Sequence, residues 1–270
     1  MMRIRSLFSI VLCLAATLAG CSNIYQSKFE SSELPTSFDQ SDPEKRARLR
    51  LDLAVAYFEN GQNQVALDEL KQAVAIYPKL SDIYNVRGLI YAAMGLNDLA
   101  IKNFSQAIRL NPRNVGFWHN QCWFYCQNNR PNESKKSFEN ALSFAKQAEL
   151  FKLWLAYGIC LGQFGDLQNA EVLLLKAHEQ SPQNEMVIVN LGEIWYQFGK
   201  YNLAEDLISK NQTASNLQLL KFLQLAEKIY KKTGNFAGVN LIEKQLKKNF
   251  SQEPELFFLN QEKLSDTNPK

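Results

Sequence analysis

From residue 43 onward, small and apolar residues return at fixed offsets with helical spacing, and several of the cycles close at a proline. Pro78, Pro112 and Pro182 mark three of these closures, and the first two are 34 residues apart. Gly61, Gly95, Gly165 and Gly199 form one column of the alignment. Ala66, Ala100, Ala170 and Ala204 form a second, and Ala73, Ala107, Ala141 and Ala177 a third. A further small-residue column is Ala54, Gly88, Cys122, Gly158 and Gly192, accompanied by Tyr57, Tyr91, Tyr125 and Trp195. The pattern predicts paired helices. Small side chains let two helices approach, the bulky ring fills the space beside them, and a glycine in the left-handed conformation ends the first helix. A proline stops the second helix because it lacks the amide proton and clashes with the preceding turn.

These columns resemble the tetratricopeptide repeat (TPR), two antiparallel helices in about 34 residues. The predicted fold is all-α, a right-handed TPR superhelix of about six helix-turn-helix repeats. The units are 47–80, 81–114, 115–148, 151–184, 185–218 and 220–253, with a short helix from Pro254 to Lys263 and a tail over 264–270. The third unit has Asn129, Arg130 and Pro131 where the turn glycine is expected, the fifth has Asn211 in an alanine column, and the sixth rests on Ala226, Tyr230 and Gly234. Stacked repeats of this kind present a long concave surface that binds polypeptides.

The chain begins differently. Arg3 and Arg5 precede an apolar run from Leu7 to Leu18, which is too short to span a bilayer and reads as an export signal over residues 1–20. Leu18-Ala19-Gly20-Cys21 resembles the lipobox of bacterial lipoproteins, which implies cleavage before Cys21 and acylation of that residue. Two or three acyl chains hold a protein firmly at a membrane. Ser22 follows the cysteine, and the resemblance to enterobacterial sorting implies an outer-membrane destination on the periplasmic face. Residues 21–42 read as a lipidated N-terminus and tether, rich in Ser, Gln, Asn and acidic residues, before Asp42 and Pro43 open the repeat domain of 43–263.

Hydrophobic residues make up 46% of the chain, ample for a repeat core, and the net charge of +3 falls to +1 once Arg3 and Arg5 leave with the signal. That balance is no nucleic-acid signature. Lysines collect late, at Lys228, Lys231, Lys232, Lys244, Lys247 and Lys248, where a solvated face is the ordinary reading and contact with acidic headgroups or an acidic partner the other. In the TPR register Cys126 and Cys160 stand at similar levels on neighbouring first helices, a possible disulfide in an oxidising compartment. Cys122, in the small-residue column, is expected as a buried free thiol. Three buried thiols are the alternative.

A closer resemblance rests on His119-Asn120-Gln121-Cys122-Trp123-Phe124-Tyr125-Cys126, which is similar to the segment NNYGWFLC of the PilF/PilW family of TPR lipoproteins of type IV pilus biogenesis. The stretch from Leu155 to Ala177, with Gly158, Cys160, Gly165, Asp166, Ala170 and Glu171, resembles the next repeat of that family. The chain's departures from the motif include Gln121 for tyrosine and Cys122 for glycine. The resemblance implies a pilotin, a non-enzymatic lipoprotein that binds the pilus secretin and promotes its localisation and multimerisation. The partners it implies are a secretin subunit and, through Cys21, the outer membrane. The alternative is a periplasmic TPR adaptor for a murein hydrolase or for outer-membrane protein assembly.

The residues agree with binding rather than chemistry. The sequence carries no phosphate-binding loop and no HExxH, and its two histidines, His119 and His178, lack a partner at metal-ligand spacing. No cofactor, small-molecule substrate or nucleic acid is expected. Positions 2, 5, 9 and 12 of each TPR first helix tend to face the concavity. They place Leu51, Val55, Phe58, Asn85 and Leu89 in a largely apolar protein-binding groove, unless some of these pack under the tether or a neighbouring helix. In repeat three the same positions are Gly116, His119, Trp123 and Cys126.

Overall fold

The computed structural model describes residues 42–211 and 216–250. The signal segment, Cys21 and the tether to residue 41 lie outside the described residues, as do the predicted helix from Pro254 to Lys263 and the tail. The described residues form twelve α-helices and no strand. In chain order they are α1 (Pro43–Glu59), α2 (Asn63–Ile76), α3 (Ser81–Ala93), α4 (Asn97–Leu110), α5 (Val115–Gln127) and α6 (Pro131–Phe144). There follow α7 (Gln147–Gln163), α8 (Leu167–Gln180), α9 (Glu185–Gln197), α10 (Tyr201–Lys210), α11 (Asn216–Thr233) and α12 (Phe236–Phe250). Each odd-numbered helix packs most extensively on the even one after it, every even helix packs on the next odd one, and successive odd helices touch each other. The arrangement is an all-α helical repeat superhelix.

The alanine columns are the seams of these pairs. Ala66, Ala73, Ala100, Ala107, Ala141, Ala170, Ala177 and Ala204 have no exposed surface. Position 3 of the first helix supplies the large counterpart: Ile83, Phe117, Leu153, Val187 and Phe222 are all buried against the preceding repeat. Leu49 holds that position in α1 and is 55% exposed, since no described helix precedes it. Repeats are also tied at their exits. The Tyr84 hydroxyl donates to the Pro78 carbonyl at 3.0 Å, and Trp118 Nε1 one repeat later donates to the Pro112 carbonyl at 2.8 Å.

The turn column obeys backbone geometry even where its sequence breaks. Gly61, Gly95, Gly165, Gly199 and Gly234 all have φ between 71° and 82°, and in the third repeat Asn129 takes φ 53° in their place. Asparagine tolerates this region better than other non-glycine residues. Nothing lies within 4 Å of a Cβ placed on Gly95, so Gly95→Ala strains only the backbone. We expect it to cost about 1 kcal/mol in urea unfolding. Asn129→Ala should cost a similar amount, and Asn129→Gly nothing.

The fifth repeat is the irregular one. Helix α10 has 10 residues against 14 in α8 and ends at Asn211, whose Nδ2 donates to the Leu207 carbonyl at 2.8 Å. A polar residue in the alanine column thus caps the helix early instead of packing along it.

Candidate functional site: the exposed strip of the first helices

Leu51, Val55 and Phe58 occupy one side of α1. Val55 and Phe58 are half-buried against a cluster formed by Ala54, Leu70, Ile83 and their neighbours, whereas Leu51 is only 8% exposed and belongs to that core. Leu155 and Val189 hold the same helical position as Leu51 in α7 and α9 and are each 9% exposed. Apolar residues at this position therefore sink between helices, at the boundary of strip and core. The strip proper is carried by the positions four and seven residues later.

On α3, Leu89 is half-buried against Phe104 and Phe124. Asn85 accepts a hydrogen bond at 3.1 Å from Nδ2 of Asn120 on α5, which ties two consecutive first helices together. Trp123 on α5 is partly buried against the main core. The same register continues beyond the repeats in which it was read from sequence: Glu193 and Tyr196 on α9 extend the strip, whereas Ile159 on α7, at the same position as Val55, is 9% exposed and belongs to the core. The equal spacing of the columns was the available signal for these.

His119 stands in this strip with Nδ1 3.3 Å from Asn120 Oδ1. Burial pushes its pKa below the ordinary histidine value, Lys152 adds to the effect, and the Asn120 contact opposes it. The folded chain therefore takes up this proton less readily than the unfolded chain. The contribution of neutral His119 to stability is present above about pH 6.5 and is lost as the pH falls through the window below it. We expect His119→Gln to reduce the fall in unfolding free energy between about pH 7.5 and 5.5 in urea titrations.

Gln121 and Cys122, where the chain departs from the NNYGWFLC segment, face buried serines on α6. Ser137 Oγ donates to Gln121 Oε1 at 3.0 Å, and Ser134 Oγ donates to the Cys122 carbonyl at 3.1 Å while lying 3.4 Å from its sulfur. Burial pushes the Cys122 thiol up to about 11, so it stays protonated and unreactive. Cys126 on α5 and Cys160 on α7 are brought together with their Cα atoms 5.6 Å apart and are joined by a disulfide.

Two surface depressions lie elsewhere. One, of about 490 Å³, is lined by Arg113, Asn114, Phe144 and Lys146 between connecting loops, and one of about 370 Å³ by Leu67, Lys71, Arg87 and Tyr91. Neither includes Leu51, Val55, Phe58, Asn85 or Leu89. Among the described residues no group of three or more His, Cys, Asp or Glu is placed to hold a metal ion, and no helix is long and apolar enough to cross a membrane.

A tetratricopeptide-repeat family model matches residues 81–114, the α3 and α4 pair. Among solved structures, PilW, described as a widely conserved type IV pilus biogenesis factor, is similar at 27% identity and a TM-score of 0.70, covering 79% of this chain and 97% of its own. PilF of Pseudomonas aeruginosa shares the fold at 18% identity and a TM-score of 0.67, over 82% of this chain and 100% of its own. A tetratricopeptide repeat protein from Parabacteroides merdae does so at 17% identity and a TM-score of 0.60, over 79% of this chain and 82% of its own. No curated protein matches the chain.

Proposed function

We propose that this tetratricopeptide-repeat protein, which fits the PilF/PilW type, is a pilotin: an outer-membrane lipoprotein, anchored through Cys21 on the periplasmic face, that binds the type IV pilus secretin and promotes its localisation and multimerisation. The observation that carries this reading is the likeness to PilW along 97% of that protein, at 27% identity. The strip supports it, because half-buried Val55, Phe58 and Leu89 offer apolar surface to a polypeptide. Each such side chain contributes roughly 1.5 to 3 kcal/mol if a partner fully covers it. The protein acts by holding and delivering a subunit, without bond making or breaking.

Crosslinking and pull-down from membranes test the assignment, comparing the native chain with Val55→Asp plus Phe58→Asp. The native chain should recover the secretin, and the double variant should lose it while keeping its helical circular dichroism. Leu51→Asp serves as the contrast: it buries a charge in the core and should lower the melting temperature itself. Recovery of a murein hydrolase or an outer-membrane assembly subunit without any secretin would replace the pilotin reading by the adaptor one.

A further inference from the structure

The strip changes character in its last repeat. On α11, Phe222, Leu223, Leu225, Ala226, Ile229 and Tyr230 form the buried arc, and the opposite arc exposes Lys221, Lys228, Lys231 and Lys232. Three of these residues continue the register exactly where the other repeats carry their strip: Lys221, Lys228 and Lys231 hold the positions of Met186, Glu193 and Tyr196 on α9. Lys231 is paired with Glu227 at 2.5 Å, and no carboxylate among the described residues pairs with Lys221, Lys228 or Lys232. Lys231 and Lys232 lie in the last turn of α11, where a cation is favourable against the helix dipole. Lys221 and Lys228 lie earlier and have no such local reason to be basic.

The first repeat has the opposite surroundings. Its strip cation Arg48 is held by Glu44 at 2.6 Å and lies in the field of Asp52 and Asp82. The strip therefore runs from a neutralised end, through repeats where apolar Val55, Phe58, Leu89 and Trp123 alternate with Asn85, His119 and the carboxylate of Glu193, to an end where Lys221 and Lys228 have no carboxylate partner among the described residues. A ligand that follows it must carry negative charge at one end to gain from the whole length.

We infer that α11 is a subsite for an acidic stretch of the polypeptide whose apolar side chains lie on the preceding repeats. The inference rests on the reading of this strip as a polypeptide-binding face. First helices of consecutive repeats lie on the order of 10 Å apart, so an extended ligand reaching from α1 to α11 needs about 15 residues. Contact with anionic lipid is the less favoured source of negative charge. Lys244, Lys247 and Lys248 on α12 would serve a bilayer equally well, yet the α11 lysines are the ones in register with the strip.

The test is selection from a random display library of peptides of about 16 residues on the full chain and on Lys221→Glu plus Lys228→Glu. Binding of both chains to vesicles containing phosphatidylglycerol is measured in parallel. The expected result is enrichment of peptides with an apolar block and an Asp/Glu block at one end, with loss of the acidic block on the variant. For a selected acidic peptide, the variant and a rise in salt from about 50 to 300 mM should each weaken binding by about tenfold. Enrichment of apolar peptides without acidic bias overturns the subsite and leaves the strip reading intact. Vesicle binding that the variant loses, without acidic enrichment, overturns it in favour of lipid. Failure to select any peptide defeats the strip reading and the subsite together.

Discussion

Phe104→Ala should lower the unfolding free energy by about 3 to 5 kcal/mol, the loss typical of truncating a fully buried aromatic ring. The ring has no exposed surface and packs in a tilted pair, centroids 5.6 Å apart, with Phe124 in the next repeat, so its removal opens a cavity shared by two repeats. Its other neighbour is Gly88: a Cβ placed there would lie 2.7 Å from the ring. Gly88→Ala should therefore also destabilise, by about 1 to 3 kcal/mol, because the ring cannot yield within a close-packed seam. The two sites share one contact, so their effects are not additive. Gly88→Ala combined with Phe104→Leu should be less damaging than the sum of the single changes. Urea unfolding measures the magnitudes, and hydrogen exchange should localise the loss to α3, α4 and α5. A Phe104→Ala cost below about 1 kcal/mol would mean that the seam is not packed as described.

Loss of the Cys126–Cys160 bond is the second large effect. The two cysteines are 34 residues apart and join α5 to α7, the packed first helices of two consecutive repeats. In the chain-entropy account, a loop of this length constrains the unfolded state by roughly 3 to 4 kcal/mol. Cys126→Ser with Cys160→Ser, or reduction of the native chain, should lower the melting temperature by about 6 to 16 °C. Cys122→Ser should not reproduce the shift, since that thiol is unbonded and its hydroxyl replacement keeps Ser134 as a partner. Equal melting of oxidised and reduced chains would show that the bond is not formed in the protein as isolated.

The fold was legible because steric demands recur. A small residue at 54, 88, 122, 158 and 192 and a turn glycine after it are requirements of helix pairing, so they survive in the sequence as columns. Asn129 shows why a broken column did not break the repeat: the turn demands a positive φ, and asparagine also meets it. The short α10 was foreshadowed by Asn211, although the polar residue's role as an early cap emerges only with its bond to Leu207.

The strip was less legible. Position within a repeat tells which side of a helix a residue faces, but not how deeply it sinks between neighbours. Leu51 and Val55 are read alike in sequence and differ in burial because Leu51 meets the packed side of the repeat. The buried polar contacts of Gln121 and Cys122 with Ser137 and Ser134 were also hidden, since they join residues 12 to 16 positions apart on two helices. Viewed singly, Gln121 and Cys122 look like departures from a motif. Viewed with their serines, they are two buried polar contacts that join α5 to α6.

The measurement that bears most directly on the central claim is the state of the secretin in cells lacking this chain and having no second pilotin. Outer membranes are separated and secretin is resolved as subunit or as multimer, with the full chain restored as the control. The account predicts that without the chain the secretin is depleted from the outer membrane and recovered as unassembled subunits, and that the restored chain returns the multimer. Normal secretin rings in the outer membrane of cells without the chain would contradict it.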